Sequence, residues 1–387
     1  MNLRRKSTLI LLEDQGSHFA FDSLTNDLQR LNEIPVMVLA AADGTRTADE
    51  IIKEILPSIG LKNAEKARRW IEKAIDSGTL VENATAEPPP VHSATDLDEI
   101  AARLKSADKV RLAYLVQKKA AMLAPDEPMI AYRLAELAHI MGLRNEARTA
   151  YEFYFRHFPG DHETALILSA LRDEPPPERA PDDFLTFVYR RFSSFYEETM
   201  CDDLKYHAPE HLLAAIRKAS GSCKDLVALD LGCGTGLFGM KLRPCCQRLV
   251  GVDISPEMLK IAESRQVYDS LAEAEINRWL DQTPVEQYDL ITLCDTLIYF
   301  GNLEPVFKRS LPHLKPSGLL AFTLEKGETS PFRLSDSARF QHHKNHVRDT
   351  AKSVGLEVVE RSEKVLRLEY GTEVVGLVTV LRKKANS

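Results

Sequence analysis

A chain of 387 residues with 44% apolar content is long enough for two or three hydrophobic cores. Its net charge of -7 argues against a protein that holds nucleic acid by bulk electrostatics. Six cysteines without zinc-ligand spacing point to reduced thiols and a cytoplasmic location. The apolar run TLILL, although it follows Arg4, Arg5 and Lys6, is far too short for a membrane span or a signal peptide.

Residues 17–82 read as a hairpin, a helix from Glu33, a turn at Asp43-Gly44 and a helix capped near Thr47. A third, amphipathic helix around Trp70 and Ile71 and a closing strand in SGTLVEN complete a small α+β, winged-helix-like unit. The phrase NEIPVMVLAAADGTRTADEI resembles the PqqD-like domains. That resemblance implies a peptide or protein partner bound by strand addition at a sheet edge; internal docking or dimerisation is the alternative, and the oligomeric state stays open.

Two proline runs, Pro88 to Pro90 and Pro175 to Pro177, read as extended polar linkers. Three modules follow: 1–87, 96–174 and 180–387. In the middle one, Pro125 and Pro159 lie one 34-residue period apart. Ala135, Ala138, Gly142, Ala147, Tyr151 and Pro159 fall where tetratricopeptide (TPR) repeats place small residues, a turn glycine, a packing aromatic and a terminal proline. The segment resembles an all-α, TPR-like array of roughly two repeats, with Glu163 to Leu171 as the start of another; this is near the lower limit for such arrays.

The third module carries VALDLGCGTGLFG, residues 227–239. It is a buried strand, an acid, and a turn whose glycines let the backbone pass flush against a ligand. Gly234, Gly236 and Gly239 also satisfy the dinucleotide fingerprint G-x-G-x-x-G. Asp230, two residues before Gly232, separates the two readings, because it would repel a pyrophosphate and attract an amino group. Asp253 ends the next strand, LVGVDIS, where such folds hold a ribose. The motif resembles that of class I S-adenosylmethionine-dependent methyltransferases, with a nicotinamide enzyme as the alternative. On that resemblance the cofactor is S-adenosylmethionine (SAM), contacted by Asp230, Gly232, Cys233, Gly234, Gly236, Asp253, Ile254, Glu275, Cys294 and Tyr206.

Further elements fit a Rossmann-like α/β sheet of seven strands. Ser255 and Pro256 start a helix. A third strand is expected near Leu271 to Ile276, with Glu275 accepting from an adenine amino group. The run Tyr288 to Phe300 reads as a fourth strand that breaks at Cys294 and Asp295. A helix through Leu303 and Leu311, a fifth strand from Leu319 to Leu324, and two final strands, Leu356 to Leu368 and Glu373 to Leu381, follow. The last two are joined at Tyr370-Gly371.

The segments CDTLIYFGNLEPVF, ARFQHH and VLRLEYGTEVVGLVTVLR resemble a bacterial group described as predicted methyltransferases with TPR repeats. That resemblance implies functional positions at Asp295, Tyr299 and Gly301, and an aromatic lid from Phe192, Tyr196 and Tyr206 over a sulfonium cation.

Methyl transfer from a sulfonium is an in-line displacement, so positioning and water exclusion supply most of the acceleration. A hydroxyl or ammonium acceptor also needs a base, for which His342, Tyr299 and Asp295 are the candidates. The spacing of His342, His343 and His346 suggests a shared helix face, but nothing completes a ligand set, so no metal is expected. Arg339 and Arg367 are read either as anchors for an anionic acceptor or as structural ion-pair residues. The expected activity is methyl transfer to a peptide, protein or peptide-derived acceptor selected by the front modules. The alternatives are a small-molecule O- or N-methyltransferase whose front modules serve assembly, and a non-catalytic SAM-binding scaffold.

Overall fold

The computed structural model describes residues 1–14, 16–83, 92–192, 200, 204–221, 223–329, 331–369 and 372–384. Pro88 to Pro90, Tyr196 and the Tyr370-Gly371 turn lie outside the described residues, as does the side chain of Phe192. The chain forms two compact units, Met1–His157 and Phe158–Ser387.

In the first unit, strands β1 (Asn2–Arg5), β2 (Leu9–Asp14), β3 (Ser17–Asp22) and β4 (Asp27–Leu31) precede α1 (Glu33–Ala41) and β5 (Asp43–Thr47). Then come α2 (Ala48–Ile59), α3 (Ala64–Asp76) and β6 (Leu80–Asn83). Two three-stranded sheets result, in the orders β5-β1-β6 and β2-β3-β4. The small unit therefore reaches back beyond Ser17: β1 is the central strand of its sheet, with Leu3 buried, and TLILL supplies most of β2. Asp43-Gly44 begins a strand rather than a free turn. Thr47 caps α2 in a reciprocal capping box with Glu50.

Helices α4 (Ala94–Ser106), α5 (Val110–Leu123), α6 (Pro128–Ile140) and α7 (Arg144–His157) complete this unit. Ala135, Ala138 and Ala147 are fully buried, which lets α6 and α7 pack closely, and Tyr151 meets Tyr132 edge-on at 5.8 Å.

The second unit opens with α8 (His162–Leu171), α9 (Asp182–Phe192) and α10 (Ala208–Ser220). Next in the chain are β7 (Leu226–Leu231), α11 (Leu237–Leu242), β8 (Cys246–Asp253), α12 (Pro256–Ser264), β9 (Ser270–Glu273) and α13 (Ile276–Gln282). After them come β10 (Tyr288–Leu293), α14 (Glu304–Ser310), β11 (Leu314–Lys326), β12 (Phe332–Leu334), β13 (Phe340–His342), α15 (Lys344–Ser353), β14 (Leu356–Glu369) and β15 (Thr372–Lys383).

Strands β9-β8-β7-β10-β11 run parallel in that order; β15 lies antiparallel beside β11, and β14 antiparallel outside β15. This is the Rossmann-like α/β sheet expected of residues 180–387. Leu229, Leu231, Val250, Val252, Ile291 and Leu293 are buried between helical layers, which is why these strands read as unbroken apolar runs. Each such side chain contributes about 1.5–3 kcal/mol by leaving water.

Two expectations are corrected, and one element is additional to them. The third strand ends at Glu273, and Glu275 instead caps α13 by accepting from the Arg278 N–H at 2.9 Å. A short ribbon, β12 with β13, joins the last two residues of β11. His342 ends β13 and His343 caps α15, so the three histidines do not share a helix face.

Candidate functional site

Parallel strands leave a crevice at their C-terminal tips where neighbouring connections diverge. Here a cleft of about 640 Å³ opens at the tips of β7, β8 and β10. Gly232, Gly234, Asp253, Ile254, Met258, Glu275, Cys294, Asp295 and Tyr299 line it. A smaller cavity continues from the glycine loop and is lined by Tyr206, Asp230, Cys233, Thr235 and Cys294. The β7 acid, the loop, the β8 acid and Glu275 thus meet as the sequence reading expected.

The loop is locked from both sides. Gly232 has φ +73°, and a Cβ there would lie 2.4 Å from the Thr296 methyl. Gly234 has φ +54° and open space where its Cβ would be, so the backbone itself faces the cleft. The Gly234 N–H donates to Asp253 at 2.8 Å, and the Ser255 N–H donates to the other oxygen at 2.9 Å. Burial raises the Asp253 pKa, and these N–H donors oppose the rise. Gly236 lines neither cavity; it is the left-handed residue that starts α11.

Gly239, the third glycine of the dinucleotide fingerprint, serves a tyrosine. A Cβ at Gly239 would lie 2.2 Å from the Tyr268 hydroxyl, and Gly236 and Gly251 leave room for the same ring. That hydroxyl donates to Asp230 at 2.8 Å, and Thr292 donates to the other carboxylate oxygen at 2.7 Å. Asp230 is 1% exposed. Burial pushes its pKa up to about 6; Asp253 adds to the rise and the two hydroxyl donors oppose it. Burial holds the Cys233 and Cys294 thiols well above their usual range, so both stay protonated.

Among the described residues, two buried oxygens in these cavities accept no hydrogen bond, the hydroxyl of Thr235 and Oε1 of Glu275, whose nearest cation is Arg179 at 3.8 Å. An unpaired buried acceptor is costly unless something donates to it. SAM meets this condition: its adenine amino group can donate to Glu275, its ribose hydroxyls to Asp253, and its ammonium to Asp230. The donor set therefore suits that cofactor.

At the other end of the cleft, Asp295 follows β10 in the left-handed region with φ +55°. Its N–H donates to the Thr323 hydroxyl at 2.7 Å. Tyr299 lies on the following helical turn and accepts from the hydroxyl of Tyr189 on α9 at 3.0 Å. Tyr189, Leu185 and Arg179 were not singled out from sequence, yet all three line the cleft. Of the expected lid, Tyr206 stands by the smaller cavity with its hydroxyl 3.7 Å from the Cys294 sulfur.

His342 is placed differently from the expectation. It is fully buried, does not line the cleft, and donates from Nε2 to the Phe300 carbonyl at 2.8 Å. Burial lowers its pKa to about 3. The β12–β13 ribbon draws it inward, against Phe332 and in a stack with His346, a long-range contact that local spacing does not encode. Arg339 and Arg367 line neither cavity and are held in ion pairs. Arg367 is 1% exposed and pairs with Glu325, with Glu369 at 2.8 Å and with Asp295 at 3.4 Å, while Arg339 pairs with Glu369.

Residues 229–320 match the methyltransferase domain family. YqeM of Bacillus subtilis is 30% identical over 159 residues, 38% of this chain and 58% of its own length. Trans-aconitate 2-methyltransferase of Paracidovorax citrulli is 28% identical over 151 residues, 38% of this chain and 53% of its own. The chain spans about half the length of the curated relatives it matches. Among solved structures, the N-methyltransferase NodS of Bradyrhizobium japonicum with S-adenosylhomocysteine has 21% identity and a TM-score of 0.41, over 51% of this chain and 97% of its own.

Proposed function

We propose that the chain is a SAM-dependent methyltransferase with its cofactor in the cleft at the tips of β7, β8 and β10. The observation that carries this reading is the convergence of Asp230, the open face of Gly234, Asp253 and a Glu275 oxygen that accepts no hydrogen bond on two adjoining cavities. The match of residues 229–320 to the methyltransferase domain family supports it.

Bound SAM supplies a methyl group on a sulfonium, ready for in-line displacement. The protein's part is to orient and to exclude water. Asp253 is held rigid by two backbone N–H groups, so it meets ribose hydroxyls at no cost in side-chain entropy. Leu185 and Tyr189 line the cleft from α9, and excluding water from the reacting end is the role assigned to them in this reading. Tyr299 and Asp295 face the acceptor side. Isothermal calorimetry with SAM, S-adenosylhomocysteine and NAD tests the assignment: heat with the first two and none with NAD is expected, and silence from both sulfur ligands would overturn it.

The acceptor we infer is a peptide or protein engaged by residues 17–82 and the helical segment after them. What supports this is β4, which pairs only with β3 among the described residues and exposes Asp27 to Arg30 along a sheet edge, the arrangement that accepts an added strand. A small-molecule acceptor is the second reading, favoured by the activity named for the trans-aconitate relative. Labelled methyl transfer in host lysate separates them. Label in macromolecules or peptides is expected, and label confined to other small molecules sinks the peptide reading.

A further inference from the structure

The charges around the acceptor end do not cancel. Asp295 lines the cleft, with Glu325, Glu369, Arg367 and Arg339 behind it. Three carboxylates thus share two guanidiniums. Arg367 contacts all three acids, and Arg339 contacts Glu369 and lies 3.9 Å from Glu325. Neither arginine has charge to spare for a ligand. The one cation lining the cleft among the described residues, Arg179, is committed to Asp182 at 2.6 Å and lies 3.8 Å from Glu275.

Asp295 holds the least satisfied carboxylate of the group. Its oxygens stand 3.4 and 3.5 Å from the Arg367 nitrogen, whereas Glu369 receives Arg367 at 2.8 Å. The left-handed backbone at Asp295, tied by its N–H to Thr323, fixes where that side chain starts. The acceptor end therefore presents a rigid hydrogen-bond acceptor carrying the cluster's unbalanced negative charge.

We propose that Asp295 selects an amine acceptor, so that the enzyme is an N-methyltransferase; this rests on the methyltransferase reading above. An amine that has given its ammonium proton to solvent before docking donates one N–H to Asp295 and keeps its lone pair free for the methyl carbon. The nitrogen–carbon bond forms as the carbon–sulfur bond breaks, with the bonding electrons left on a neutral thioether sulfur. The positive charge passes from sulfur to nitrogen, next to the carboxylate, and the surplus nitrogen proton leaves to solvent. A carboxylate acceptor would instead bring a second negative charge to a place where the described residues offer no free cation.

Sinefungin, which carries an amine where SAM carries its methyl-bearing sulfonium, probes this charge without any acceptor. Calorimetry should show sinefungin binding at least tenfold tighter than neutral-headed S-adenosylhomocysteine. In Asp295→Asn that ratio should fall toward one while the S-adenosylhomocysteine affinity holds. Equal affinities in the native protein, or a ratio untouched by Asp295→Asn, overturns the proposal. If neither ligand binds, it is the cofactor assignment that fails. A second measurement needs only the native protein. Label transferred from methyl-labelled SAM to lysate should survive mild alkali; its release as methanol would reveal an ester and a carboxylate acceptor.

Discussion

At the cofactor end of the cleft, Asp230, the glycine loop, Asp253 and Glu275 all come from residues 230–275, and backbone N–H groups do much of the holding. At the acceptor end, Asp295, Glu325, Arg339, Arg367 and Glu369 come from the tips of β10, β11 and β14 and from the approach to β13, and side-chain ion pairs hold them. Damage to the first should cost ligand affinity and leave the fold intact. Damage to the second should cost the fold before it costs the cofactor, because removing one member strands a buried charge.

Arg367→Met is the harshest test of that division. It leaves Glu325, 3% exposed, with only the more distant Arg339 guanidinium at 3.9 Å, and a loss of about 3–5 kcal/mol in urea unfolding is expected. The protein that remains folded should still bind S-adenosylhomocysteine within about twofold of native, a small change in free energy. A matching collapse of affinity would show the two ends to be one coupled unit.

Asp230→Asn should move the two quantities in opposite directions. Its carboxylate loses a charged contact with the cofactor ammonium, so affinity should fall roughly a hundredfold, about 3 kcal/mol. The apo fold should gain stability at pH 7–8. Burial raises the folded pKa to about 6 from 3.8, so the native aspartate is unstrained at low pH and loses stability as pH rises through about 6. The variant's advantage, up to about 3 kcal/mol at pH 8, should vanish below about pH 4; melting curves across pH read it directly. Asp253→Ala removes the ribose contacts proposed for this carboxylate, and calorimetry should show a loss of about 1–3 kcal/mol in binding.

The same division explains what could be read from sequence. Asp230, Gly232, Gly234 and Asp253 are adjacent to strand ends, so a short apolar run followed by an acid or glycine was enough to place them. The break at Cys294 and Asp295 was visible for the same reason. Tyr268 escaped notice because its significance depends on Gly239 and Gly251 arriving from two other elements. His342 reads as a candidate base near the acceptor because local spacing carries no record of the Phe300 carbonyl that receives it. Sequence alone is compatible with two roles for Arg339 and Arg367, and only the tertiary meeting of three acids assigns them to ion pairs. The β12–β13 ribbon was missed because strands of three residues are too short to show a period.

Tyr268→Phe sharpens the comparison most finely, because it alters the cofactor end through a residue outside the glycine loop. The phenyl ring still fills the slot left by Gly236, Gly239 and Gly251, so unfolding should change by no more than about 1 kcal/mol, the worth of one hydrogen bond. What disappears is a donor to Asp230 that holds its pKa down against burial and the nearby Asp253. The Asp230 pKa must therefore rise further, while Thr292 remains a donor and the Cys233 and Cys294 thiols stay protonated as in the native protein. Binding an ammonium requires the ionised carboxylate. Below the Asp230 pKa a proton must leave first, and affinity drops up to tenfold for each pH unit. Native affinity should accordingly begin to fall near pH 6, and the variant's fall should begin at higher pH, with the two curves converging above about pH 8. Calorimetric titration from pH 5 to 9 distinguishes this from simple space filling, since a filler would displace the whole profile by a constant factor and leave its midpoint where it was.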